Sequence, residues 1–196
     1  MERNSKIISE TDIKKNGKSL ESSVLKHSFL WGIIIVITAM TVGHLWEHNG
    51  GPKWNLLWFA AVFIGFALEH VLFKHDKRLC EGYITSVFKY NLRILIAFCC
   101  VFVITVMLSV CFIDYYHAEL ISTYIISSFI IILGFSSCIT GYLMYNRPVI
   151  LTGFISGTMG SILSLIADGS YKMIVLAGVA FITLVVPFCI KRIFKI

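Results

Sequence analysis

A chain of 196 residues that is 57% hydrophobic and only 14% charged carries more apolar surface than one water-soluble core can hide, because ordinary soluble domains run at about half apolar and about a quarter charged. Its formal net charge of +6 would argue for a nucleic-acid partner only if the basic side chains gathered on one folded face. They flank apolar runs instead, so no nucleic acid is expected, and the composition predicts an all-α polytopic protein with lipid as its solvent and membrane lipids as its partners.

Residues 1–27 are polar and lysine-rich, too long and too hydrophilic for the short basic start of a cleaved signal peptide. They read as a cytoplasmic basic segment leading into a retained signal anchor. Neither Met1-Glu2-Arg3 nor Ile193-Phe194-Lys195-Ile196 offers a lipidation signal. Crossing about 30 Å of hydrocarbon takes about 20 apolar residues at about 1.5 Å of helix rise each. Six stretches within residues 28–190 qualify: 28–46, 54–73, 94–113, 121–143, 149–167 and 173–190. Residues 191–196 form a basic tail.

The breaks between spans carry turn chemistry. Asn49-Gly50-Gly51-Pro52 follows the first span and Asp168-Gly169 the fifth, both strong punctuators. Only Tyr145-Asn146-Arg147 separates the fourth span from Pro148, a residue suited to a first helical turn, so these two helices are predicted to be antiparallel neighbours. In the longest connector, Leu79, Tyr83, Val87 and Tyr90 recur at helical spacing beside Lys77, Arg78 and Lys89. An interfacial helix and an extension of the third span are both open there.

Lysine and arginine set the direction. With the amino end cytoplasmic, that side collects Arg3, Lys6, Lys14, Lys15, Lys18, Lys26, Lys74, Lys77, Arg78, Lys89, Arg93, Arg147, Lys191, Arg192 and Lys195, against Lys53 and Lys172 outside. So lopsided a split predicts six transmembrane helices with both termini cytoplasmic. Trp31, Trp46, Trp54, Trp58, Tyr115, Tyr116, Tyr142 and Tyr145 fall near span ends, where amphipathic rings favour the headgroup level.

The fifth span places Gly153, Gly157, Gly160 and Ser161 on adjacent faces. In lipid, close backbone approach through small residues is a main source of association. The expectation is that this helix lies in the bundle interior, against Gly134, Ser137 and Gly141 of the fourth span and Ala177, Gly178 and Ala180 of the sixth. A homodimer face, or a lumen lined by Ser156, Thr158, Ser161 and Ser164, is the functional reading of the same residues. Pro187 either kinks the sixth span or eases its exit. The cysteines lack C-x-x-C spacing and read as small apolar packing residues.

Ionisable residues inside a span are functional candidates by default. Glu69 and His70 lie about one turn inside the cytoplasmic end of the second span and His44 near the outer end of the first, so Glu69 and His44 belong to different sites. Glu69 is within reach of an ion pair with Arg93 or Arg147, while Glu69 with His70 offers a proton or cation relay. On the outer side His44, Glu47 and His48 share a helical face, and Asp114, His117 and Glu119 lie at the same level. Nitrogen and oxygen ligands of this kind suit zinc, with His44, His48, Asp114 and His117 as the candidate set and a solvated loop as the competing reading. The chain holds no H-E-x-x-H and no G-x-S-x-G, so neither an enzyme nor a cofactor is expected.

Phe29-Leu30-Trp31-Gly32, the aromatic-rich hairpin from Trp54 to Phe73, and the stretch from Gly134 through Thr140-Gly141 to Arg147-Pro148-Val149 and Gly153 together resemble a group of uncharacterised six-helix inner-membrane proteins of Bacteroidota-type bacteria. The likeness closes over Phe181 to Pro187, although the group's usual Pro-Gly-His ending stands here as Pro187-Phe188-Cys189. Members are often encoded beside small winged-helix regulators, so the resemblance implies a sensing or regulatory role in an inner membrane. The leading expectation is a non-enzymatic protein that binds a protein partner through its basic cytoplasmic face. The runner-up is a small transporter or channel that uses Glu69 and the Gly/Ser-rich fifth span.

Overall fold

Helix α1 runs without a break from Glu10 to Asn49. The run contains no proline, and lysines and glutamates are good helix formers. The helix therefore starts well ahead of Ser28, where the apolar run begins. Its forty residues extend about 60 Å at about 1.5 Å per residue, about twice the thickness of a bilayer's hydrocarbon core. Buried Ile35, Ala39, Val42 and Trp46 form its core stripe at the three-to-four-residue spacing of one helical face.

The computed structural model describes residues 10–49, 52–73 and 115–194, together with Val101 and Ile104. Every secondary-structure element among them is helical. Five helical stretches are long and apolar enough to cross a membrane, at Ser23–His48, Trp54–Leu72, Thr123–Leu143, Arg147–Ile166 and Tyr171–Ile193. The predicted third span lies outside the described residues apart from Val101 and Ile104, which are helical. The connector at 74–92, Arg93 and Asp114 lie outside them as well.

After α1, a 3₁₀ turn at Pro52–Leu56 leads into α2 (Leu57–Leu72). Its buried stripe is Trp58, Ala61 and Gly65, again three and four apart, and faces α1. Gly65 is needed there, because an added Cβ would sit 2.6 Å from the Trp31 ring. The opposite side of α2 presents Phe63, Ile64 and Val71 outward.

α3 (Tyr115–Leu143) and α4 (Arg147–Ile166) form an antiparallel hairpin with the most extensive contact in the described bundle. Its closeness comes from glycine. A Cβ on Gly134 would lie 2.6 Å from the Gly153 carbonyl oxygen and from Gly157 Cα, and one on Gly153 would lie 2.8 Å from the Gly134 oxygen. Farther along α4, Gly160 packs against Ile130 of α3 and Val179 of the next helix, and Ser161 is buried beside it. The outer side of α4, with Leu151, Phe154, Met159 and Ile166, is more than half exposed. α4 meets Gly134, Ser137 and Gly141 of α3 through its small face, and its large apolar residues face outward.

The last helix supplies part of the main core among the described residues. α5 (Tyr171–Ala180) passes through a π-helical turn at Phe181–Val185 into α6 (Val186–Phe194). Met173, Leu176, Ala177, Val179 and Ala180 are buried in the main core with Val42 of α1 and Ile126, Ile130 and Leu133 of α3. α1 contributes Gly32, whose Cβ would lie 2.8 Å from Leu184, and Gly43, at 3.1 Å from Met173. Gly178, by contrast, has open space around it.

Pro187 has no N–H to give, and its ring crowds the carbonyl four residues back. The wide turn just before it absorbs that conflict, with the Val186 N–H reaching five residues back to the Phe181 carbonyl. Pro187 therefore reshapes the helix, which continues to Phe194 without an exit.

Gly134→Val inserts a branched side chain where no Cβ fits, and is expected to lower stability by about 1–3 kcal/mol, the usual range for overpacking. Gly178→Ala meets nothing and is expected to leave the melting temperature unchanged or raised. Thermal denaturation of the two purified variants in one detergent checks both signs.

Candidate functional site

The end of the bundle that holds Asn146 gathers ionisable groups into two sets, and α1 belongs to both. α3 ends there in a Schellman motif: the Asn146 N–H bonds the Gly141 carbonyl at 2.8 Å and the Tyr145 N–H the Tyr142 carbonyl at 3.1 Å. Tyr145 takes the left-handed conformation, φ 54°, in the position that usually goes to glycine. Asn146 then starts α4, its side-chain oxygen accepting from the Val149 N–H at 3.3 Å, with Pro148 in the first turn. An asparagine N-cap satisfies one of the four orphan donors of a helix start.

The same asparagine donates through Nδ2 to Glu21 Oε1 at 2.9 Å, while Lys191 Nζ of α6 meets Glu21 Oε2, also at 2.9 Å. One carboxylate thus ties α1 to the α3–α4 turn and to the last helix. Beneath it Val24, Leu25, Met144 and Val149 form a second small core with Phe188 against it, and Phe29 packs on Phe188 at 4.6 Å between ring centroids.

The second set joins α1 to α2. His27 Nδ1 donates to Glu69 Oε1 and Trp31 Nε1 to Glu69 Oε2, each at 3.1 Å. The Trp31 ring meets Phe66 edge-on, and the His27 ring lies 4.2 Å from that of Phe73. His27 and Trp31 are four residues apart and share one face of α1, whereas Glu21 is turned roughly 120° away from His27 at 3.6 residues per turn. Chemically, the Glu69 set pairs a carboxylate with an imidazole, the side chain that changes charge nearest neutral pH.

The three described intramembrane candidates do not form one cluster. Glu69 is held by α1; His70, next to it on α2, is exposed. Arg147, at the start of α4, is exposed and is not a partner of Glu69. Arg93 lies outside the described residues. Sequence reading missed Glu21, His27 and Lys191, all outside the apolar runs. Asn146 did carry a signal, since asparagine just ahead of Arg147-Pro148 is an N-cap signature.

At the opposite end, the rings of His44 and His48 lie 4.2 Å apart at a tilt of 34°, and His48 Nδ1 donates to the His44 carbonyl at 3.0 Å. The side chains of Asp114 and His117 are outside the description. Among the described residues no group of three or more His, Cys, Asp or Glu is placed to hold a metal ion. The same end holds buried Lys172, whose ammonium donates to the Thr123 hydroxyl. From there a polar file runs inward: the Ser127 and Ser164 hydroxyls share one hydrogen bond at 2.6 Å, and the one that accepts it donates its own proton to a carbonyl of its own helix, Thr123 at 3.0 Å for Ser127 or Ser161 at 2.8 Å for Ser164. Ser156 bonds the Thr152 carbonyl and Ser161 the Thr158 carbonyl. Thr158 is exposed, so the four hydroxyls proposed as a lumen lining do not share a face.

A double-mutant cycle of Glu21→Ala and Lys191→Ala is expected to return a coupling of roughly 0.5–1 kcal/mol, as for a partly exposed pair, and smaller at high salt. Chemical denaturation of the four proteins measures it, and a zero coupling at low salt would detach α1 from α6. No protein family, no curated protein and no solved structure matches this chain, so its functional reading rests on this geometry.

Proposed function

We propose that the chain is a six-span protein of the bacterial inner (cytoplasmic) membrane, with both termini cytoplasmic, and that it acts without catalysis as a regulatory or sensing protein that binds a protein partner at its cytoplasmic face. The observation that carries this reading is α1, one unbroken helix from Glu10 to Asn49 that is about twice as long as the hydrocarbon is thick. Its first turns carry Lys14, Lys15 and Lys18 beyond the apolar run, a basic helical surface continuous with a membrane span. The charge split of the whole sequence supports the same orientation.

A transporter or channel would ask Glu69 and the small face of α4 to line one path. Glu69 sits on the contact between α1 and α2, while the serines of α4 spend their hydroxyls on carbonyls of their own helix. These placements favour the partner-binding reading.

Fluorescent-protein fusions at either terminus are expected to mature in the cytoplasm, and a periplasmic phosphatase fused after Asp168 is expected to be active. Cross-linking from Lys14 or Lys18 in native membranes is expected to recover a reproducible protein partner, lost in Lys14→Gln/Lys15→Gln/Lys18→Gln. Inactive phosphatase overturns the topology, and cross-linking without a reproducible partner overturns the function.

A further inference from the structure

The turn between α3 and α4 keeps a bulky side chain where the backbone asks for none. Tyr145 sits at φ 54°, a conformation that glycine adopts freely and a residue with a Cβ adopts at a cost. Its ring is 43% exposed and stacks on Tyr142, itself 73% exposed, with 6.5 Å between centroids and 21° between planes. Neither ring belongs to either apolar core, so packing does not account for the choice.

Arg147 follows two residues on, exposed at the first turn of α4. It makes no ion pair among the described residues, in contrast to Lys191, which Glu21 holds. Glu21 joins Asn146 to Lys191, so exposed Arg192, the next residue on α6, lies at the same end of the bundle. The patch therefore presents two stacked phenol rings and, at the same end of the bundle, the exposed side chains of Arg147 and Arg192, on described helices whose outward faces are apolar.

We propose that Tyr142, Tyr145 and Arg147, assisted by Arg192, form a surface for the headgroup of an anionic phospholipid. The complementarity is of charge and shape: a guanidinium presents paired donors to phosphate oxygens, exposed phenol rings settle at the boundary between headgroup and acyl chain, and basic residues at a membrane surface select anionic lipid. The left-handed backbone at Tyr145 aims its ring outward beside that of Tyr142, and the N-cap at Asn146 fixes Arg147 relative to both. This inference rests on the reading of the chain as a membrane protein but not on its orientation or its protein partner.

The test is lipid retention by the purified full-length protein, measured by native mass spectrometry after exposure to equal amounts of phosphatidylglycerol and phosphatidylcholine, with melting temperatures taken alongside. The wild type is expected to retain phosphatidylglycerol over phosphatidylcholine. Arg147→Gln is expected to lower the bound phosphatidylglycerol about fivefold. Tyr145→Gly is expected to lower it as well while leaving the melting temperature equal or higher, because glycine relaxes the turn. That opposition of signs is what a merely structural tyrosine would not give. Equal retention of the two lipids by the wild type overturns the proposal, as does unchanged phosphatidylglycerol retention in Arg147→Gln. A Tyr145→Gly variant that loses stability without losing lipid overturns it too. The measurement uses no cell membrane, so a failure of the topology or cross-linking experiments leaves it standing.

Discussion

A helix of forty residues cannot be contained in about 30 Å of hydrocarbon without projecting from it, and the arrangement of the Asn146 end follows from where α1 emerges. Leaving the apolar run, α1 meets groups that a lipid-facing helix would avoid: Glu21, His27 and the indole N–H of Trp31. Their partners lie on two sides of α1. Glu69 of α2 takes His27 and Trp31, and the turn after α3 and the end of α6 take Glu21. Carboxylates at this depth are tolerable because every oxygen accepts a hydrogen bond, which offsets the cost of leaving water.

Deeper in the bundle the physics changes. Lipid tails are as apolar as leucine side chains, so the hydrophobic effect does little to bring helices together there, and close fit does the work. The fit is made where side chains are missing, at Gly134 against Gly153 and Gly157, and at Gly32 against Leu184. Hydroxyl groups are spent in place, as with Ser127 and Ser164 across the α3–α4 contact and Thr183 on the Val179 carbonyl beside the π-turn. The last helix packs closely against two neighbours because the glycines are theirs, with Gly160 of α4 accepting Val179 and Gly43 of α1 accepting Met173.

What could be read from the sequence follows the same division. Apolar length is a local property, so the five described stretches fall where the chain is apolar for about 20 residues, and the Asn146-Arg147-Pro148 junction marks the start of α4 by its own chemistry. The partners of Glu69 are not local. They depend on how α1 and α2 are rotated about their axes, and His27 falls just ahead of Ser28, where hydropathy stops reporting. The start of α1 was missed for a related reason: apolar length says where a helix can enter lipid, while helix formation at Lys14-Lys15 is a matter of backbone propensity. The contact expected at Gly178 is not made, since that residue faces open space, and the glycines that receive the last helix sit on its neighbours.

The rotation between the two polar sets bears most directly on mechanism. Glu21 and His27 are six residues apart on a continuous helix, so a twist or tilt that loosens one set must move the other, with about 9 Å of rigid helix between them. α2 meets the described bundle mainly through α1, and Trp31 is locked into it by the space Gly65 leaves. On the proposed sensing reading, a shift of α2 in the membrane would reach the Glu21 clamp on the α3–α4 turn and α6 through α1. Transport needs a path through the bundle, but this coupling needs only a stiff helix held at two points on different faces, and that is the arrangement α1 provides.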